Sequence, residues 1–193
     1  MTERSHFELN ALIEAAKIGD IEEMCRLVEQ GADLAAVDPR SREGQTAVHW
    51  LAISHGATKF LDFTEKYPAT LGFENYAGKT PAMELAEQFY AREVISLACH
   101  PDYGEGVVTQ VDNAGRTVPC YLVMRNDTRW VRTLMLFHED VIKAQSCIIR
   151  TAIEEYLYHL VKPLYESGIA LPKDFDDLLT KRGITRALIG VDA

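Results

Sequence analysis

The sequence predicts an all-α fold of stacked helix pairs, and three observations carry that expectation. A segment recurs three times: Glu43-Gly44-Gln45-Thr46-Ala47-Val48-His49, then Tyr76-Ala77-Gly78-Lys79-Thr80-Pro81, then Asp112-Asn113-Ala114-Gly115-Arg116-Thr117. Its glycines stand 34 and then 37 positions apart, a period that belongs to helical repeat arrays rather than to a globular enzyme fold. Ahead of the first segment, residues 10–33 read as a helix, a glycine, a second helix and a second glycine. Beyond the last segment the apolar residues keep helical spacing.

Taken in order, Asn10 to Ile18 reads as a short helix carrying small alanines and closed by Gly19, because a helix C-terminus often needs a left-handed residue. Asp20 is placed to cap the next helix, Ile21 to Glu29, whose Ile21, Met24, Leu27 and Val28 share one face. Gly31-Ala32-Asp33 ends that helix and turns the chain out towards Asp38. In each recurring segment glycine permits a positive φ and threonine caps the helix that follows. Proline, where present, suits a first helical position. Such a pair cannot bury its own apolar face, so it needs neighbours.

Over residues 9–135 these features resemble the ankyrin repeat family. That family's pattern is a D-x-x-G-x-T-P-L-H turn, an alanine-rich first helix, a glycine, a second helix and G-A-D. Gly19 and Gly31 keep its twelve-residue spacing, and Gly31-Ala32-Asp33 matches outright. Gly44 to His49 matches with alanine in place of proline, and Gly78-Lys79-Thr80-Pro81 matches with Met83 where histidine is usual. Asp112 to Thr117 matches before Val118-Pro119-Cys120 departs. Further departures are a first hairpin about three residues longer through Asp38 to Glu43, a glycine displaced to His55-Gly56, and Tyr67-Pro68-Ala69-Thr70-Leu71 in place of G-A-D. The third unit lacks its middle glycine, and His100 to Gly106 reads as an extended exit loop.

The resemblance implies an ankyrin-repeat solenoid with hairpin loops over residues 1–135 and a C-terminal helical cap or extension over 136–193. It also implies a histidine that links neighbouring turns, which makes His49 structural rather than catalytic. Its contact surface would be the hairpin tips and inner helices. Mapped onto this chain, the tip positions are Arg40, Arg42 and Gln45, then Tyr76, Ala77 and Lys79, then Asn113, Ala114 and Arg116. The inner-helix positions are Lys17, Ile18, Ile53, Ser54, Glu87, Gln88, Met124 and Arg125. Arg42, Tyr76, Arg116 and Arg125 lead because arginine and tyrosine are favoured interface anchors.

After Leu136 the apolar residues Val141, Ile142, Ile148, Ile149, Ile153 and Leu157 predict a long helix from Glu139 to Tyr158. Leu160 to Tyr165 continues it past a bend at Pro163 to a stop at Gly168. A helix from Phe175 to Lys181 stopped by Gly183, and a last turn begun by Thr185, complete the chain.

Composition narrows the function. The net charge of −9 argues against general affinity for nucleic acid. It is unevenly spread: residues 1–38 hold nine acids against three bases, whereas 101–135 hold four of each. No secretory leader pattern opens the chain and no apolar run approaches a membrane span, so a cytoplasmic protein is expected. Four scattered cysteines without a CxxC pair predict neither a disulfide framework nor a zinc finger.

No phosphate loop, nucleophile elbow or HExxH helix is present, and no cofactor or metal is expected. Cys147 with His138 or His159 is the one thiol–base combination to consider, and helical apolar spacing makes Cys147 a small core residue instead. The expectation is a monomeric, non-enzymatic module that binds a protein partner, as adaptor or inhibitor. A bacterial effector acting in a eukaryotic host is one version of it, motivated by the short divergent array joined to an unfamiliar helical tail. The alternative is an enzyme whose site lies in the C-terminal helices or in their groove with the repeats.

Overall fold

The computed structural model describes residues 3–54, 57–126 and 128–191. Among these residues the chain is all-α, with thirteen α-helices, one 3-10 turn and no β-strand. Its contacts divide it into two compact units, Met1–Leu97 and Ala98–Ala193. No described helix is long and apolar enough to cross a membrane.

The first unit holds α1 (Glu3–Ile18), α2 (Ile21–Glu29), α3 (Ala47–Ser54), α4 (Ala57–Lys66), a 3-10 turn (Pro68–Gly72), α5 (Pro81–Glu87) and α6 (Ala91–Ala98), the last running to the unit boundary. Helix α1 packs on α2 and on α3, and α3 packs in turn on α4 and α5. Small residues of α1, α3 and α5 lie in the core: Ala16, Ala47, Ala52, Ala82 and Ala86 are all buried. Larger side chains fill the rest of the core, with Leu12, Ile13, Met24, Leu51, Phe60, Phe63 and Met83 fully enclosed. As expected, Asp20 caps α2, its carboxylate accepting from the Glu23 amide at 3.0 Å.

Three turns precede α3, α5 and the later α8 (Val118–Met124), and they share one construction. In the second, Asn75 Oδ1 accepts from the Ala77 and Lys79 amides, and the Gly78 amide returns to Asn75 O. In the third, Asp112 Oδ1 accepts from the Ala114 and Arg116 amides, and the Gly115 amide returns to Asp112 O. The first begins alike, with Asp38 Oδ1 accepting from the Arg40 amide. It then carries its three extra residues on Ser41, whose Oγ accepts from the Glu43 and Gln45 amides. Gly44, Gly78 and Gly115 close the turns at φ 72° to 74°.

Each turn also grips the helix behind it. Trp50 Nε1 donates to Asp38, Asn75 Nδ2 donates to Glu84, and the Tyr121 hydroxyl donates to Asp112. These three partners stand four residues after Thr46, Thr80 and Thr117.

Three residues after each threonine lies a side chain that can accept from it. His49 Nδ1 faces the Thr46 amide and hydroxyl, Met83 Sδ accepts from the Thr80 amide, and Cys120 Sγ meets the Thr117 hydroxyl. Methionine and cysteine thus fill the local part of the histidine's place. His49 also reaches onward, with Nε2 2.9 Å from Lys79 O. Thr80 caps its helix as expected. Thr117 does not: its hydroxyl donates to Gln145 Oε1 instead, at 2.7 Å.

The second unit holds α7 (Gly104–Thr109), α8, α9 (Thr128–Lys143), α10 (Cys147–Glu154), α11 (Tyr158–Glu166), α12 (Phe175–Arg182) and α13 (Arg186–Ile189). Helix α8 packs on α9 and α10, α10 on α11 and α12, and α11 on α13. The helix expected over 139–158 is broken twice. Residues 144–146 form a turn between α9 and α10, and Tyr156 adopts φ 61° between α10 and α11. The apolar spacing misled because Ile142 enters the core from α9 while Ile148, Ile149 and Ile153 enter it from α10. A further kink at His138 (φ −135°) interrupts α9. The exit loop expected over 100–106 is helical from Gly104, the start of α7. The stops at Gly168 and Gly183 stand where expected, both at positive φ.

The turn inside four of the helix pairs repeats as well. The residues Gly19, Phe89, Tyr156 and Gly183 are left-handed, at φ 61° to 70°. The amide just after each reaches back to a carbonyl five residues before it: Asp20 to Ala15, Tyr90 to Leu85, Leu157 to Ala152, Ile184 to Leu179. The unit read as lacking its glycine therefore keeps the conformation and places Phe89 in it. The displaced glycine at His55-Gly56 lies outside the described residues.

Candidate functional site

The sequence-derived contact residues fall in two groups, one in each unit. In the first unit Arg40, Arg42, Gln45 and Lys79 come together around an open groove of about 490 Å³, with Trp50, Ile53, Glu84, Glu87 and Gln88 completing its wall and floor. The first turn forms one side, and residues of α3 and α5 form the other. The lengthened turn supplies Arg40 to Glu43 to the groove, and the Ser41 hydroxyl donates to the side-chain oxygen of Gln45 within it.

Most of the polar groups here are engaged by the protein itself. Arg40 bridges Glu14 at 2.7 Å and Asp38 at 3.2 Å. Asp38 is buried and also receives Lys17 Nζ and Trp50 Nε1, while Lys17 lies 4.5 Å from the centre of the Trp50 ring. Burial pushes the Asp38 carboxyl up, but its bonds to Arg40 and Lys17 outweigh that and hold it below the usual range. Gln45 is buried, with its amide donating to Glu43. Lys79 pairs with Glu87 at 2.6 Å. Arg42 differs: it is exposed and forms no ion pair with a described residue.

Tyr76 stands outside the groove wall and is 67% exposed. Its amide donates to Glu43 O, and its ring lies against Gly44, where an added Cβ would meet ring carbon at 2.5 Å. The ring thus packs the second turn on the first. Of the inner-helix positions, Ile53, Glu87 and Gln88 reach the groove, Ile18 is 63% exposed, and Lys17 serves the Asp38 cluster.

Two titrations at this site oppose one another. Burial pushes the Glu84 carboxyl up to about 7, against the pull of Lys79. Burial also lowers His49, to about 4. Glu84 Oε1 accepts from Asn75 at 3.1 Å. Sequence reasoning missed Trp50 and Glu84, although the repeat register holds the signal: both occupy the same place relative to their turn threonine.

The second group is built differently. Arg116 is 3.0 Å from Asp112 and lies over the Tyr121 ring, so its guanidinium secures its own turn. Burial raises the Asp112 carboxyl, but the Tyr121 hydroxyl and Arg116 more than offset this and hold it low. Asn113 is exposed at the tip, while Met124 and Arg125 are half-buried where α8 ends. A charge reversal at Arg116 therefore perturbs folding as well as surface.

The thiol–base combination is not assembled. His138 Nε2 contacts Ala98 O at 2.6 Å, and His159 Nε2 contacts Asn126 Oδ1 at 2.6 Å. Cys147 instead lies 3.8 Å from the Thr117 hydroxyl, on α10, which packs on the α8 helix of Cys120. Among the described residues no group of three His, Cys, Asp or Glu side chains is arranged to hold a metal ion. No protein-family model and no curated protein matches this chain.

Proposed function

We propose that the chain is a non-enzymatic protein-interaction module, a degenerate ankyrin-type solenoid that binds a protein partner through its turn tips and the helices behind them. One observation carries the reading. The same Asx-and-glycine turn occurs three times, gripping its helix each time through the residue four after the threonine. Geometry reproduced with changing side chains is what a repeat array requires, and arrays of this kind use their loops and inner helices as binding surface. The two left-handed stops Tyr156 and Gly168, twelve residues apart like Gly19 and Gly31, support extending the array through α10 and α11.

Within this reading the groove of the first unit is the principal contact site, and Arg42 its first anchor. The cation is exposed, forms no ion pair with a described residue, and lines the same groove as Trp50 and Ile53. The negative overall charge disfavours nucleic acid as the partner. The test is affinity capture from native lysate with the wild type and with Arg42→Glu, after circular dichroism has shown that the variant is folded. A protein enriched by the wild type and lost with the variant is expected. Equal recovery by both would remove Arg42 and this groove from the interface.

A further inference from the structure

Four scattered cysteines gave the sequence no disulfide pattern, but the fold brings two of them together. Cys120, in the first turn of α8, is fully buried, and Cys147 opens α10, which packs on α8. Thr117 Oγ1 lies 3.5 Å from the Cys120 sulfur and 3.8 Å from the Cys147 sulfur, so one hydroxyl spans the pair. The two differ in access. Cys147 is half-buried and lines a shallow surface groove with Val111, Val141 and Ala144. Cys120 has no exposed surface.

We propose that Cys120 and Cys147 form a reversible oxidation site, with Cys147 the thiol that meets a peroxide and Cys120 the thiol that resolves it. Thiolate, not thiol, is the nucleophile in both steps. The Cys147 sulfur attacks one peroxide oxygen and the O–O bond breaks. The leaving hydroxide takes up the thiol proton as water, and Cys147 becomes a sulfenic acid. The Cys120 sulfur then attacks the Cys147 sulfur, an S–S bond forms, and the sulfenic hydroxyl departs with the Cys120 proton as a second water. Two thiols and one peroxide give one disulfide and two waters, and an external thiol returns the pair to its reduced form.

The surroundings favour this sequence over inert burial. Contacts with Cys147, Thr151 and Thr117 outweigh the cost of burial and lower the proton affinity of Cys120, while the pairing with Cys120 raises that of Cys147. Because the two thiols titrate as a pair, the first step proceeds from the state in which Cys120 holds the shared proton and Cys147 is the thiolate, and the second step from the state in which Cys120 has lost it. Cys25 and Cys99 are half-buried thiols outside this pair and serve as internal controls.

The experiment treats the folded chain with hydrogen peroxide, blocks remaining thiols with iodoacetamide, and maps peptides by mass spectrometry without reduction. The expected product is one cross-linked species joining the peptides of Cys120 and Cys147, reversed by dithiothreitol. In Cys120→Ser the resolving thiol is gone, and Cys147 should accumulate as a sulfenic acid trapped by dimedone. Phenylarsine oxide, which bridges two neighbouring thiols, gives a readout that needs no variant: the untreated wild type should take up one equivalent at this pair. Peroxide oxidation confined to Cys25 or Cys99, with Cys120 and Cys147 both still open to alkylation on unfolding and no arsenical bridge between them, would overturn the proposal.

Discussion

His49 and Glu84 are two buried titratable side chains in one unit, and burial moves them in opposite directions. For His49 the folded value is about 4 against an ordinary 6.5. Between those values the unfolded chain binds a proton that the folded chain does not, so acidification destabilises. For Glu84 the folded value is about 7 against an ordinary 4.5. Between those values the unfolded chain has lost a proton that the folded chain keeps, so raising the pH destabilises.

The two slopes oppose each other from pH 4.5 to 6.5, and the wild type should vary little there. Glu84→Gln keeps an acceptor for Asn75 and removes one slope. Its stability should rise with pH across that window by about 1.4 kcal/mol per unit at most, or about 3 kcal/mol in all. Urea denaturation at several pH values measures it, and a variant as flat as the wild type would show that His49 is not held neutral.

Gly44 offers a second test at this scale. Replacing it by alanine combines a positive φ with a clash against the Tyr76 ring, whereas Gly31 has positive φ and open space around it. Gly44→Ala should cost about 1–3 kcal/mol and exceed Gly31→Ala. Equal losses would mean that the ring turns aside at no cost.

At the scale of elements, the turn and its helix act as one piece. Arg116→Glu would set a second carboxylate beside Asp112 and remove the cation over Tyr121. A destabilisation of about 2 kcal/mol is expected from the lost charged hydrogen bond. Arg42→Glu, at an exposed position without an ion pair among the described residues, should stay within about 0.5 kcal/mol of the wild type. Denaturation curves for both variants decide whether the two arginines have separate roles. Coincident curves would mean that the Asp112 turn does not depend on its guanidinium.

Much of this scale was legible in the sequence, because glycine and Asx residues state their turns locally: Asp20, Gly31, Gly78 and Gly183 each stand where their chemistry pointed. What was hidden had no local mark. Phe89 and Tyr156 take left-handed conformations without being glycine, and the breaks around α10 occur in sequence whose apolar spacing runs on unchanged. The Cys120–Cys147 contact is hidden for the same reason, being made by packing α8 on α10 across 27 positions.

For the molecule as a whole, the groove of the first unit is the proposed binding surface, and Arg116 is a structural residue of the second unit. The candidate contact residues were legible as a set, since repeat register fixes tip and inner-helix positions. Their division into engaged and uncommitted side chains was not, because it depends on the ion pairs of Arg40, Lys79 and Arg116 in the folded chain. The most direct measurement is hydrogen–deuterium exchange of the chain alone and with its captured partner. Protection concentrated in residues 40–45 and 79–88 is the predicted result. Protection confined to residues 113–125, with the first unit unchanged, would contradict it.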